Sequence, residues 1–193
     1  MSDPCSCNRR AAVATLVGTG MALLGGGVNA LAQSDPKSMR PQSGDVLVYA
    51  DGPKANNPIA AADLQPGAPQ VLAWAMDPAS KTVRDGSKLN QVLVIAVDPS
   101  KMSDATKANA AGSVVAYSAV CTHVGCLVEG FEKGSDRLLC PCHQSEYDPT
   151  DSAKVTGGPA PARLATLPLK PGDGGALAVA GTFKGHVGIG QTS

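Results

Sequence analysis

The chain has 193 residues, with 16 basic and 16 acidic side chains, 3% aromatic residues, 22 glycines and 15 prolines. That length allows one ordinary domain with a real core, and a balanced charge without a basic run gives nucleic acid nothing to hold. Few aromatics among many turn-forming residues exclude a bundle of long packed helices and favour short strands joined by turns.

In chain order, Arg9 and Arg10 stand directly before a charge-free run, AAVATLVGTGMALLGGGVNALA, at 11–32. About 20 apolar residues suffice to span a bilayer, yet this run is rich in Gly and Ala and only weakly hydrophobic. It ends in Ala30-Leu31-Ala32, the small-x-small pattern of a signal-peptidase site. Residues 1–32 are therefore expected to be a twin-arginine-like export signal or an N-terminal membrane anchor helix, with Ala12-Val13 where such signals usually carry Phe-Leu. The paired arginines orient the following chain outward. The expected location is the periplasmic side of the inner membrane, with the chain anchored through 11–32 or released by cleavage near Ala32. Cys5 and Cys7 precede the run and are taken as incidental to it.

Residues 33–43, QSDPKSMRPQS, read as a flexible linker, and 44–193 as the folded domain. Within that domain the apolar runs predict strands at 45–50, 71–75, 91–97, 113–119, 126–131, 163–169 and 176–181. Turn-forming clusters separate most of them. One helix is predicted at 99–112, with Gly112 as its stop signal. The fold class is all-β, a small antiparallel sandwich or barrel with one helical insertion. Trp74, the only Trp, is expected in the core, and His186 on the surface of a Gly-rich tail.

The chemistry concentrates in CTHVGC, 121–126, and CPCHQS, 140–145, which hold four of the six cysteines and two of the three histidines. Cys121-x-His123 and Cys140-x-x-His143 each offer one thiolate and one imidazole, and the residues between them allow a β-excursion that brings the two loops face to face. Structural zinc accepts a Cys2His2 set, but its knuckles usually pair like with like, whereas each loop here is mixed. A four-cysteine plant-type cluster fails on spacing, because Glu129 stands where the next Cys is required. A mixed pair from each loop suits two irons that each take one ligand per loop. A structural zinc module stays open as a lesser reading.

These residues resemble the Rieske [2Fe-2S] iron–sulfur proteins, in the disulfide-containing form found in cytochrome bc complexes. CTHVGC resembles their first cluster loop, CPCHQSEYD the second, and GGPAPARL, 157–164, the proline loop that covers the cluster. The resemblance implies a Rieske-type antiparallel β-sandwich with an inserted cluster-binding subdomain at about 116–166, and one [2Fe-2S] cluster per chain. It further implies that Cys121 and Cys140 bind one iron, that His123 and His143 bind the other, and that Cys126 and Cys142 form a disulfide. Ser145 and Tyr147 then occupy the positions that hydrogen-bond the cluster sulfurs. The chain departs from the pattern at Gln144, which replaces the usual Gly, and at Val124, which replaces a commoner Leu.

No nucleophile or base constellation accompanies the two loops, so the expected role is one-electron transfer as a subunit, not catalysis by the chain alone. The resemblance implies the iron–sulfur subunit of a quinol–cytochrome c oxidoreductase, with a quinol-oxidising membrane partner and a c-type cytochrome. The alternative is the small Rieske subunit of a periplasmic molybdenum oxidoreductase of the arsenite-oxidase kind.

Overall fold

The computed structural model describes residues 35–190. The expected leader at 1–32, with Cys5 and Cys7, lies outside the described residues. Ten strands form: β1 (Val46–Tyr49), β2 (Val71–Met76), β3 (Val92–Ala96), β4 (Val114–Ser118), β5 (Gly130–Glu132), β6 (Arg137–Cys140), β7 (Ser145–Asp148), β8 (Lys154–Gly157), β9 (Leu169–Pro171) and β10 (Leu177–Val179). They make a six-stranded sheet in the order β4-β3-β2-β1-β10-β9 and a four-stranded sheet in the order β5-β6-β7-β8. Every named pairing is antiparallel. The second sheet is therefore a contiguous insertion between β4 and β9 of the first.

Residues alternate along β3 and β4 between two apolar cores. Val92, Val94, Val114 and Ala116 face a first core within the large sheet, with Leu47, Ile59 and Leu177. Leu93, Ile95, Val115 and Tyr117 face a second, shared with Leu138 and Tyr147 of the small sheet. A strand buried on both sides needs an unbroken apolar run rather than an alternating one, and VLVIA and VVAYS supply it. The outer edge of β4 is closed by 165–167: Ser118 N–H donates to the Ala165 carbonyl at 2.8 Å and Leu167 N–H to the Ala116 carbonyl at 2.9 Å.

Several local expectations need correction. The helix predicted over 99–112 is a 3-10 turn, Pro99–Lys101, followed by a single-turn helix α1, Asp104–Lys107. Asp98 caps the first piece and Ser103, itself extended at ψ 159°, caps the second, so the segment starts twice and propagates nowhere. Trp74 is half-buried rather than core, because Ala73 and Ala75 take the inward positions of β2. Of 126–131 only Gly130 and Phe131 lie in a strand, since Cys126 closes a loop and Leu127 makes a single bridge to Val120. Strands β6, β7 and β8 were not expected at all. The described part of the expected linker lies against the domain: Gly86 N–H donates to the Lys37 carbonyl at 2.9 Å, and the Asn90 amide to the Met39 carbonyl at 2.7 Å.

Tyr117 joins the two sheets. Its buried hydroxyl donates to the Pro149 carbonyl at 2.7 Å, in the turn between β7 and β8. Burial pushes its pKa above the ordinary tyrosine value, so it remains a donor at any ordinary pH. Tyr117→Phe keeps the ring and strands that buried carbonyl. The expected loss is about 1–3 kcal/mol, read by denaturant unfolding.

Candidate metal centre

Two loops at one end of the inserted sheet carry the mixed donors. The first, 121–126, follows β4 and is closed by its own backbone: Cys121 N–H donates to the Cys126 carbonyl at 2.8 Å, and Gly125 N–H to the Cys121 carbonyl at 3.0 Å. Gly125 sits at φ 79°, a conformation that explains why this position carries glycine. The second loop, 141–144, is the hairpin between β6 and β7. It is set by the pairing of Cys140 with Ser145 and by Gln144 N–H donating to the Cys140 carbonyl at 3.0 Å.

Gln144 adopts φ 58° where the sequence departs from glycine. Its side-chain amide turns back to the Pro141 carbonyl at 3.2 Å, so it stiffens its own loop.

Cys126 and Cys142 form a disulfide with a Cα–Cα separation of 6.5 Å, tying the loops together. Cys121 and Cys140 are free thiols, both buried in the second core. The sulfurs of Cys126, Cys140 and Cys142 all lie within 4.8 Å of one another, but two of them are bonded to each other, which leaves Cys140 as the available thiolate donor of that trio. The His123 and His143 rings meet edge to face, with centroids 4.8 Å apart. His143 is exposed and His123 half-buried.

The remaining polar groups fit this arrangement. His123 Nδ1 and Ser145 Oγ are buried and have no hydrogen-bond partner in the protein. A buried polar atom left unpaired costs about 1–3 kcal/mol, and a group bound between the two loops would satisfy both His123 Nδ1 and Ser145 Oγ. The Tyr147 hydroxyl lies 3.1 Å from the Cys121 sulfur and also accepts from Thr122 N–H at 3.4 Å. Burial pushes the Tyr147 pKa up, and the Cys121 thiol adds to that. Burial likewise pushes the Cys140 thiol up, as does neighbouring Cys121, while the N–H groups of Cys142 and His143 pull it down. The buried Cys140 thiol resists ionising by itself, and a bound cation reverses that preference.

The proline loop, 157–162, closes the third side. Gly158 lies at φ 77° so close to the second loop that a Cβ there would stand 2.5 Å from the Gln144 carbonyl oxygen and from Ser145 Cα. Thr122 Oγ1 donates to the Ala162 carbonyl at 2.6 Å, stitching this loop to the first. Thr122 was no candidate in the sequence, where a threonine between two ligand-type residues carries no signal of its own.

A family model described as the Rieske [2Fe-2S] domain matches residues 73–168. The cytochrome bc1 complex Rieske iron-sulfur subunit of Streptomyces lividans is 34% identical over 139 residues, covering 69% of this chain and 79% of that protein. The chain belongs to the Rieske [2Fe-2S] family. A putative respiratory nitrate reductase subunit Rieske of Haloferax mediterranei is 41% identical over 108 residues, 55% of this chain. The match spans 48% of that relative, about half its length. Among solved structures, the plasma membrane Rieske protein of the cyanobacterium Synechocystis PCC 6803 aligns at TM-score 0.42 and 27% identity, over 62% of this chain and 93% of that one. The cofactor of a Rieske protein is one [2Fe-2S] cluster, and its role is electron transfer. Two thiols, two imidazoles, one with its Nδ1 unpartnered, and the unpartnered Ser145 hydroxyl fit that group.

Gly158→Ala tests how tightly the three loops are packed. The added methyl meets backbone on the second loop, so the proline loop must shift. The expected outcome is a loss of about 1–3 kcal/mol and faster bleaching of the visible absorbance. Pro159→Ala, at an exposed position of the same loop, serves as the control.

Proposed function

We propose that this chain is the iron–sulfur subunit of a membrane quinol–cytochrome c oxidoreductase, passing single electrons on the periplasmic side to a c-type cytochrome. The observation that carries this reading is the disulfide-tied pair of loops with His143 and Val124 exposed at their tip. The relative named as a bc1 subunit, most of whose length is matched, supports it. In this reading residues 1–32 export the chain and either remain as its anchor or are cleaved near Ala32.

Cys121 and Cys140 would hold one iron through their thiolates, and His123 and His143 the other through ring nitrogens, with His123 Nδ1 the atom that lacks any other partner. When bound, the cluster supplies a one-electron acceptor with a potential in the range of roughly −150 to +300 mV. The protein supplies the rest. Cys126 and Cys142 clamp the two loops, Thr122 and Gly158 seat the proline loop over them, and the exposed His143 gives a redox partner a place of close approach. The Tyr147 hydroxyl lies beside the Cys121 sulfur, the unpartnered Ser145 hydroxyl would donate toward a cluster sulfur, and added negative charge strengthens such bonds.

A second reading keeps the same site and changes the complex. The Haloferax relative is named as a putative subunit of a respiratory nitrate reductase, which favours a different oxidoreductase, and we set against the first reading a small Rieske subunit of the molybdenum, arsenite-oxidase kind. Purification of the tagged full-length chain from solubilised membranes separates the two. Haem b and quinol-driven cytochrome c reduction in the same fraction are expected. A molybdenum-containing large subunit without haem b overturns the assignment to a quinol-oxidising complex.

His123→Ala and His143→Ala are expected to lose iron, whereas His186→Ala retains two irons and two sulfides. Ser145→Ala and Tyr147→Phe are expected to keep the cluster and lower its potential. A net hydrogen bond of about 1–1.5 kcal/mol corresponds to roughly 40–65 mV for one electron. Protein-film voltammetry reads the shift, and an unmoved potential with intact cluster removes the tuning role.

A further inference from the structure

The family match ends at residue 168, yet the chain beyond it returns to the first loop. Lys184 and Thr166 exchange backbone hydrogen bonds at 2.8 and 2.9 Å, which lays the tail antiparallel to the segment that leaves the proline loop. Gly185 then passes Ala165, and Gly188 lies against Leu89. Gly190 N–H finally donates to the Thr122 carbonyl at 2.7 Å. That carbonyl belongs to the peptide joining Thr122 to His123. A Cβ on Gly190 would stand 3.2 Å from Pro161 Cγ and 3.3 Å from both Ala162 and Thr122 Cβ, so the tail is wedged where the first loop and the proline loop meet. Ile189 lays its Cγ1 3.6 Å from the place a Cβ of Gly125 would occupy, and the His186 ring nitrogen Nε2 pairs with the Ile189 carbonyl at 2.9 Å, holding the last turn in shape.

We infer that residues 184–190 form a C-terminal clasp that fixes the first metal-binding loop, with Ile189 and Gly190 as its positioning residues. The inference rests on the assignment of Cys121 and His123 as ligands. The first loop has a disulfide at Cys126 and a buried anchor at Cys121, and between them only Thr122 is tied to anything outside the loop. Of the backbone–backbone hydrogen bonds that this loop makes, the one from Gly190 alone comes from a segment distant in sequence among the described residues. Ile189 is 58% exposed, so it is not held by ordinary core burial. An apolar side chain left in water beside the loop tip is accounted for if its task is to cover Gly125, where the loop reverses direction.

Hydrogen–deuterium exchange of the 122–125 amides in the otherwise full-length chain, with and without residues 188–193, tests the clasp. Removal is expected to speed exchange there by about tenfold, the effect of losing one ordinary hydrogen bond together with its packing. Strands β3 and β4 should exchange as before. Iron release to a chelator should accelerate, and the reduction potential should move. Ile189→Ser should reproduce these effects, and Ile189→Val should not, because valine retains the Cγ1 atom that makes the contact. Unchanged exchange at 122–125 in both the truncated and the Ser variant overturns the clasp, even if iron content is normal. A parent chain that binds no iron overturns the ligand assignment instead, and the exchange comparison still decides the clasp.

Discussion

The metal centre depends on one block of buried packing, in which Tyr147 and Leu138 of the inserted sheet lie against Leu93, Ile95, Val115 and Tyr117 of the large one. Cys121 and Cys140 belong to the same block and are 0% and 1% exposed. These two candidate thiol donors are thus core residues, placed by side-chain packing before any cofactor chemistry is considered. Packing of that kind is dense and resists deformation, so donors seated in it keep their geometry when charge changes nearby. The imidazoles stand further out, and His143 reaches the surface.

From this block outward the attachments become fewer and more specific. The hairpin between β6 and β7 delivers the second loop, and the β4 exit delivers the first. The disulfide joins them at the side, and Thr122 ties the first to the proline loop. Gly158 allows that loop to approach the second more closely than any side chain would permit. Three chain segments meet within a few ångströms, joined by one covalent bond, one side-chain hydrogen bond and one close backbone approach. This economy leaves the tip open to a partner while keeping the thiols dry.

The same organisation explains which residues had a signal of their own in the sequence. Cys121, His123, Cys140 and His143 are conspicuous because thiolate and imidazole at fixed offsets are rare in any other context. Tyr147 and Ser145 were found through resemblance, since a Tyr and a Ser two positions apart on a strand are otherwise unremarkable. Thr122, Tyr117 and Ile189 had no signal, because their importance lies in a partner atom 30 to 70 residues away. The helix over 99–112 misled because its composition suits a helix, while the caps at Asp98 and Ser103 interrupt it. Trp74 misled because an apolar run does not reveal which of its alternating faces a sheet will bury.

Composition and pattern by themselves determined that the chain is built of short strands, that β1 to β4 would be apolar runs, and that two loops would carry mixed thiol and imidazole donors. Those features are local: they follow from residue type, period and spacing. Only the tertiary structure decided that β5 to β8 form a separate sheet, that this sheet shares its core with the outer face of β3 and β4, and that the tail at 184–190 returns to the first loop. RLLC, SEYD and KVTG are only four residues each, and the last two are polar on one face, so pairing with neighbours, rather than their own pattern, makes them strands. Long-range pairing is the part of folding that local sequence encodes least, because its reward appears only after distant segments have met.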